Sequence, residues 1–130
     1  MVSATPTAPK PSNHARKFAS ILIDQAEAAL TAGLHLAAGC LVRASLEAHL
    51  RELHRDHPAA DKPGPNSLGS LMLFATKLYG LERGRIKRAL DKSNRAVHGI
   101  EVAPETVCEI LEIARSFIVD TSGAGVERPE

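Results

Sequence analysis

Tryptophan is absent from this chain, and one tyrosine and three phenylalanines are its only other aromatic residues apart from histidine. That is too little to build a stacking platform for single-stranded bases. Excess charge of one sign is missing as well. Sixteen basic residues face fifteen acidic ones, for a net charge of +1, which excludes a uniformly basic coat and leaves room only for local patches. No stretch approaches the ~18 uninterrupted apolar residues of a membrane span. The richest stretch, 34–46, is broken by His35, Arg43 and Ser45. The first residues, MVSATPTAPKPSNHARK, contain no apolar core of signal-peptide length, so a cytoplasmic location without membrane contact is expected. Cysteine is scarce. Cys40 and Cys108 lie far apart inside helical patterns and are expected to be reduced and packed.

Several chemical signatures are also lacking. There is no Walker loop, no paired glycine-rich phosphate fingerprint, no nucleophile elbow and no Glu-x-x-His pair of the di-iron bundles. His49, His54 and His57 stand at i, i+5 and i+8. Two metal-binding histidines on one helix usually stand at i, i+4, and no carboxylate or cysteine completes a set here, so neither metal nor cofactor is expected.

What the sequence does hold is helix. Its 130 residues suit one domain. Ala, Leu, Glu, Arg and Ile dominate the middle and β-branched runs are missing, which predicts an all-α protein. Residues 1–13 carry three of the eight prolines and read as a disordered tail, as does 121–130, leaving a helical domain over 14–120. Five segments there show helical periodicity. The first, 15–31, carries Phe18, Ile21, Leu22, Ala26 and Ala29 on one face, with Gly33 as its stop. The second, 34–56, carries Leu34, Ala38, Leu41, Val42, Leu46, Leu50 and Leu53. Its Gly39, beside Ala37 and Ala38, leaves room for a neighbouring helix to come close, and His57-Pro58 ends it. After a loop, DKPGPN, the third covers 67–79 with Leu68, Leu71, Ala75, Leu78 and Tyr79. The fourth covers 81–97 with a thinner stripe of Ile86, Leu90 and Val97, closed by His98-Gly99. The fifth, 104–120, opens on Pro104, whose missing N–H has no intrahelical partner at a first helical position anyway. Its stripe of Val107, Ile110, Leu111, Ala114, Phe117 and Ile118 is the cleanest in the chain. Leu41, Leu46, Leu71, Leu78, Ile110, Leu111, Phe117 and Ile118 are the predicted core.

Charge concentrates between Lys77 and His98, where seven basic residues stand against Glu82 and Asp91, a local excess of five. A solvated basic face beside an acidic last helix explains this, and so does a seat for phosphates. Within it, Asp91, Asn94 and His98 fall at i, i+3 and i+7 and share a stripe flanking the apolar face, so Asn94 and His98 are expected half-buried. Arg95 is near enough in sequence to reach His98 or Asp91. A histidine of near-neutral pKa, an orienting amide and a guanidinium suit acid–base work at a phosphate. A histidine in a last turn is equally what the helix dipole favours, and the glycine after it is an ordinary left-handed stop. On the second helix Arg43, Glu47, Arg51 and His54 form a polar stripe. It reads either as a solvated ladder or as Arg43 and Glu47 orienting a site on a neighbouring helix.

Leu41-Val42-Arg43-Ala44-Ser45-Leu46-Glu47 on an early helix, followed by Ser93-Asn94-Arg95-Ala96-Val97-His98-Gly99 closing a later one, resembles the HEPN superfamily. The resemblance is closest to an uncharacterised HEPN-like branch with Arg-x-x-x-Glu and Asn-x-x-x-His motifs, and it spans about residues 15–120. It implies an up-and-down four-helix bundle with one additional helix, pairing as a homodimer. Many members are metal-independent ribonucleases whose Arg-x(4–6)-His motifs meet in a basic cleft. Asn94 and His98 match that pattern; Ser93 stands where the arginine is expected. Two readings follow. In one the chain is a non-catalytic dimerisation or interaction module, or a degenerate RNA-binding relative, with RNA or another protein as partner. In the other it is a ribonuclease, in a toxin or phage-defence setting. His98 is then the acid or base, Asn94 orients, Arg95, Lys92 or the earlier Arg88 holds phosphate, and Arg43 and Glu47 support from behind.

Overall fold

The structure, a computed structural model, describes the backbone of residues 11–56, 67–79 and 83–127, and side chains over 18–56, 67–77 and 84–121. Five helices follow in order: α1 (Pro11–Thr31), α2 (His35–Asp56), α3 (Leu68–Tyr79), α4 (Arg83–Val97) and α5 (Pro104–Glu127). No strand occurs among the described residues. The all-α expectation is met, with all five helices in their predicted places. The expected loop DKPGPN (61–66), residues 1–10 of the expected N-terminal tail and the side chains of Leu78 and Tyr79 lie outside the described residues.

Local chemistry sets the helix ends. Gly33 (φ 84°) and Gly99 (φ 77°) adopt the left-handed conformation that lets a helix close without a Cβ penalty. After α1, the Gly33 N–H donates to Leu30 O at 3.0 Å and the Leu34 N–H to Ala29 O at 2.8 Å, so the last carbonyls find donors. Ser67 caps α3, its Oγ accepting from the Ser70 N–H at 3.1 Å. Pro104 opens α5 as expected.

α2 touches all four other helices. α1, α2, α4 and α5 pack in a closed circuit, and α3 lies against α2 and α4. The main core draws on every helix, including Ile23, Leu46, Leu50, Leu71, Ile86 and Ile110. Leu46, Leu71, Ile110, Leu111, Phe117 and Ile118 are buried as predicted, while Leu41 is half-buried against that core. All six residues of the predicted α5 stripe are buried.

Four expectations are corrected. On α1 the inward face is Ala19, Ile23 and Ala26, and Phe18 is 56% exposed with Ile21 also out. Ser45 Oγ explains the register: it is fully buried and donates to Ala19 O at 3.0 Å, which holds the small-residue face of α1 against α2. Leu34 and Val97 are exposed, and Ala96 takes the inward place given to Val97. Cys40 is half-buried, but Cys108 is exposed on α5; both are free thiols.

The fourth correction concerns the chain ends. Residues 11–13 are already helical, and α5 runs past Asp120 to Glu127 instead of giving way to a tail at 121. Thr121 shows why α5 continues. It is buried, and its Oγ1 donates to Phe117 O at 2.7 Å, so it accepts from His49 Nε2 at 2.6 Å. The His49 ring also meets Phe117 edge-on at 5.2 Å. Thr121→Val keeps the shape and removes the acceptor from a buried N–H, so it should cost about 1–3 kcal/mol. Thermal unfolding would read the loss, and Thr121→Ser should retain most of the stability. Equal midpoints for the valine variant and the wild type would disprove a stabilising role for this bond.

Candidate functional site

α4 positions most of the predicted site residues. Ile86, Ala89, Leu90, Ser93 and Ala96 turn inward and fix its rotation. Ser93 is 0% exposed, with its Oγ donating back to Leu90 O at 3.2 Å. One residue on, Asn94 lies at the boundary, half-buried as expected. Arg43 Nη1 donates to Asn94 Oδ1, joining α2 to α4 through the two motif helices. Behind it, Glu47 Oε1 is 4.0 Å from Arg43 Nε. Glu47 Oε2 accepts from Arg51 at 3.0 and 3.2 Å. The polar stripe of α2 is therefore not a purely solvated ladder, and Arg43 reaches the neighbouring helix as the alternative expected. Its first arginine holds the amide of the second motif directly.

His98 does not join them. α4 ends at Val97, and His98 is the exposed cap residue beyond it, not the half-buried stripe member expected from the i, i+7 spacing. Its N–H donates to Asn94 O and Arg95 O, both at 3.1 Å; Gly99 N–H reaches Ala96 O and Ile100 N–H reaches Arg95 O, both at 2.9 Å. The backbone leaves its helical path here, so the extrapolated stripe stops one residue short of the histidine.

The remaining cations gather on the outer side of α4. Lys87, Arg88, Asp91, Lys92 and Arg95 line one shallow recess. Lys87 Nζ donates to Asp91 at 3.0 Å. Arg88 forks onto Glu109 of α5, with Nε donating at 2.7 Å and Nη2 at 2.8 Å. Arg95 is exposed, and among the described residues its side chain makes no hydrogen bond or ion pair with His98 or Asp91. Lys92 is half-buried. Among the described residues neither Lys92 nor Arg95 forms an ion pair.

The fork shifts both partners. Its hydrogen bonds hold the Glu109 carboxyl below its ordinary value, against a smaller opposing push from desolvation and with added help from the charges of Arg88 and Lys92. The same contact raises the Arg88 guanidinium. A carboxyl lowered by folding stabilises above its unfolded pKa, and the contribution fades as pH falls through the folded value. In Arg88→Ala, Glu109 should titrate closer to its ordinary value, as followed by carboxyl NMR. An unmoved titration would show that the fork does not persist in solution.

A cleft of about 560 Å³ opens beside the Arg43–Asn94 pair, between α2, the start of α3 and α4. Its α3 wall, including Met72 and Leu73, was not singled out as a site element, since no local period shows where α3 docks. His98 lines neither this cleft nor the cationic recess. Of the histidines considered for metal, His49 faces Thr121, the His54 ring lies 4.6 Å from Phe74, and His57 lies outside the described residues. Among the described residues no group of three or more His, Cys, Asp or Glu side chains is placed to hold a metal ion, and no helix is long and apolar enough to cross a membrane. Compared with protein-family models, curated proteins and solved structures, the chain matches none.

Proposed function

We propose that this chain is a non-catalytic interaction module: a HEPN-like four-helix bundle of α1, α2, α4 and α5, with α3 as the additional helix, that pairs with a second copy of itself. One observation carries the reading. The two motifs bind each other, with Asn94 accepting from Arg43 across the α2–α4 joint while the residue before it, Ser93, is sealed in the core. An amide so held joins helices, and a buried hydroxyl holds no phosphate. His98 stands apart, with neither a guanidinium nor a carboxylate on its ring among the described residues. Pairing is supported by apolar side chains left in solvent at the same end of the molecule: Leu34, Leu36, Val97 and Ile100.

The test is RNA cleavage in EDTA by the wild type and by His98→Ala, together with light scattering. Folded, dimeric protein that leaves RNA intact is the expected result. Cleavage lost in His98→Ala would overturn the reading and favour a metal-independent ribonuclease. A specific observation supports that second reading: Lys92 and Arg95 are cations without ion pairs, among the described residues, on the helix that ends one residue before His98. In it one of them holds the phosphate and His98 moves the proton. Monomeric protein that leaves RNA intact would refute the pairing and leave only the non-catalytic part.

A further inference from the structure

We propose that the cleft between α2, α3 and α4 is a binding site for a small organic monocarboxylate with an apolar body. The inference is independent of the pairing reading above. The cleft, of about 560 Å³, is of the size that holds small molecules. Its chemistry has two halves. One is apolar: Leu68, Met72, Leu73 and Leu90, with Leu73 48% exposed. The other is cationic. Arg43 and Lys87 face it against the single carboxylate of Asp91, an excess of one positive charge, which matches a monoanion.

Arg43 is the anchor because its charge is incompletely answered. The side chain is 23% exposed. Nη1 is committed to Asn94, while Nε, buried, makes no hydrogen bond and has only Glu47 at 4.0 Å. Glu47 is drawn instead to Arg51 at 3.0 Å, so one carboxylate serves two guanidiniums. Nη2 of Arg43 makes no hydrogen bond among the described residues and is left to donate to a ligand oxygen. Asn94 also lines the cleft, and with its Oδ1 taken by Arg43 it has its Nδ2 N–H groups to offer a ligand. A bare inorganic anion would leave the leucine wall wet, and a neutral alkyl chain would leave the guanidinium unanswered.

The experiment is an NMR titration of the full chain with three probes: octanoate, inorganic phosphate and n-octanol. Octanoate should give saturable shifts at the Asn94 side-chain amide and the Leu73 methyls. Octanol and phosphate should bind at least about tenfold more weakly. Leu73→Glu changes an exposed residue, so the fold is retained, and the added like charge should abolish octanoate binding. Arg43→Gln should weaken it about tenfold or more. Saturation by phosphate at the same level would overturn the amphipathic assignment. Equal binding of octanol would overturn the role of Arg43. Octanoate shifts that fail to saturate, that map elsewhere, or that survive in Leu73→Glu would overturn the site.

Discussion

Ser93→Arg should unfold the protein or cost at least about 4 kcal/mol, in the range where a point mutation is diagnostic of a buried charge or a blocked core. The substitution introduces the arginine of the HEPN ribonuclease pattern that the sequence resembles, and so asks whether one residue separates this chain from a nuclease. Ser93 is 0% exposed, and its neighbours on the inward face of α4 are Leu90 and Ala96. A guanidinium there loses its water and overfills a space sized for a hydroxymethyl group, and both effects destabilise. Ser93→Ala sets the scale. It removes only a back-bond to Leu90 O within the helix, so it should change stability by less than about 1 kcal/mol. Denaturant unfolding of the two variants measures the difference. A Ser93→Arg protein that folds with an unchanged midpoint and cleaves RNA would show α4 to be rotated from the orientation described, and would overturn the non-catalytic reading.

Legibility differed between elements for physical reasons. α5 was readable because its apolar residues are large and confined to one face, so period and burial agree. α1 was not, because apolar residues lie on both sides of it. Ranking by hydrophobicity favours Phe18 and Ile21, but close packing against α2 and α5 selects Ala19 and Ala26, and the Ser45 hydrogen bond to Ala19 O exists only in the folded chain. The same preference for small residues exchanges Val97 for Ala96 on α4. At the site, the placement of Asn94 at a boundary and of Arg43 on a face able to reach another helix could be read from spacing. That these two groups meet could not, since they are 51 residues apart. His98 was misplaced because a helical wheel assumes the helix continues, and Gly99 ends it.

Gly39→Leu should cost about 3 kcal/mol or more, at or above the usual range for overpacking. A Cβ built on Gly39 would lie 2.7 Å from the Cβ of Ala96. The usual relief, a change of rotamer, is closed, because a Cβ is fixed to its backbone, so α2 and α4 must separate. Gly39→Ala tests this more finely. In an unobstructed helix the change would gain up to about 1 kcal/mol of propensity. Here the clash should reverse the sign. Adding Ala96→Gly to Gly39→Ala should recover the packing loss, leaving the intrinsic cost of a glycine moved from one helix to the other. A double-mutant cycle by thermal unfolding separates these contributions. The strain also reaches the site, since Arg43 follows Gly39 by one turn of α2 and Asn94 sits two residues before Ala96. Parting the helices lengthens the Arg43–Asn94 bond, so the Asn94 side-chain amide resonances should move in Gly39→Ala and return in the double variant. If Gly39→Ala instead stabilises the protein and leaves those resonances in place, the close approach is wrong. The Arg43–Asn94 pair would then have to be held by something other than the α2–α4 contact at Gly39.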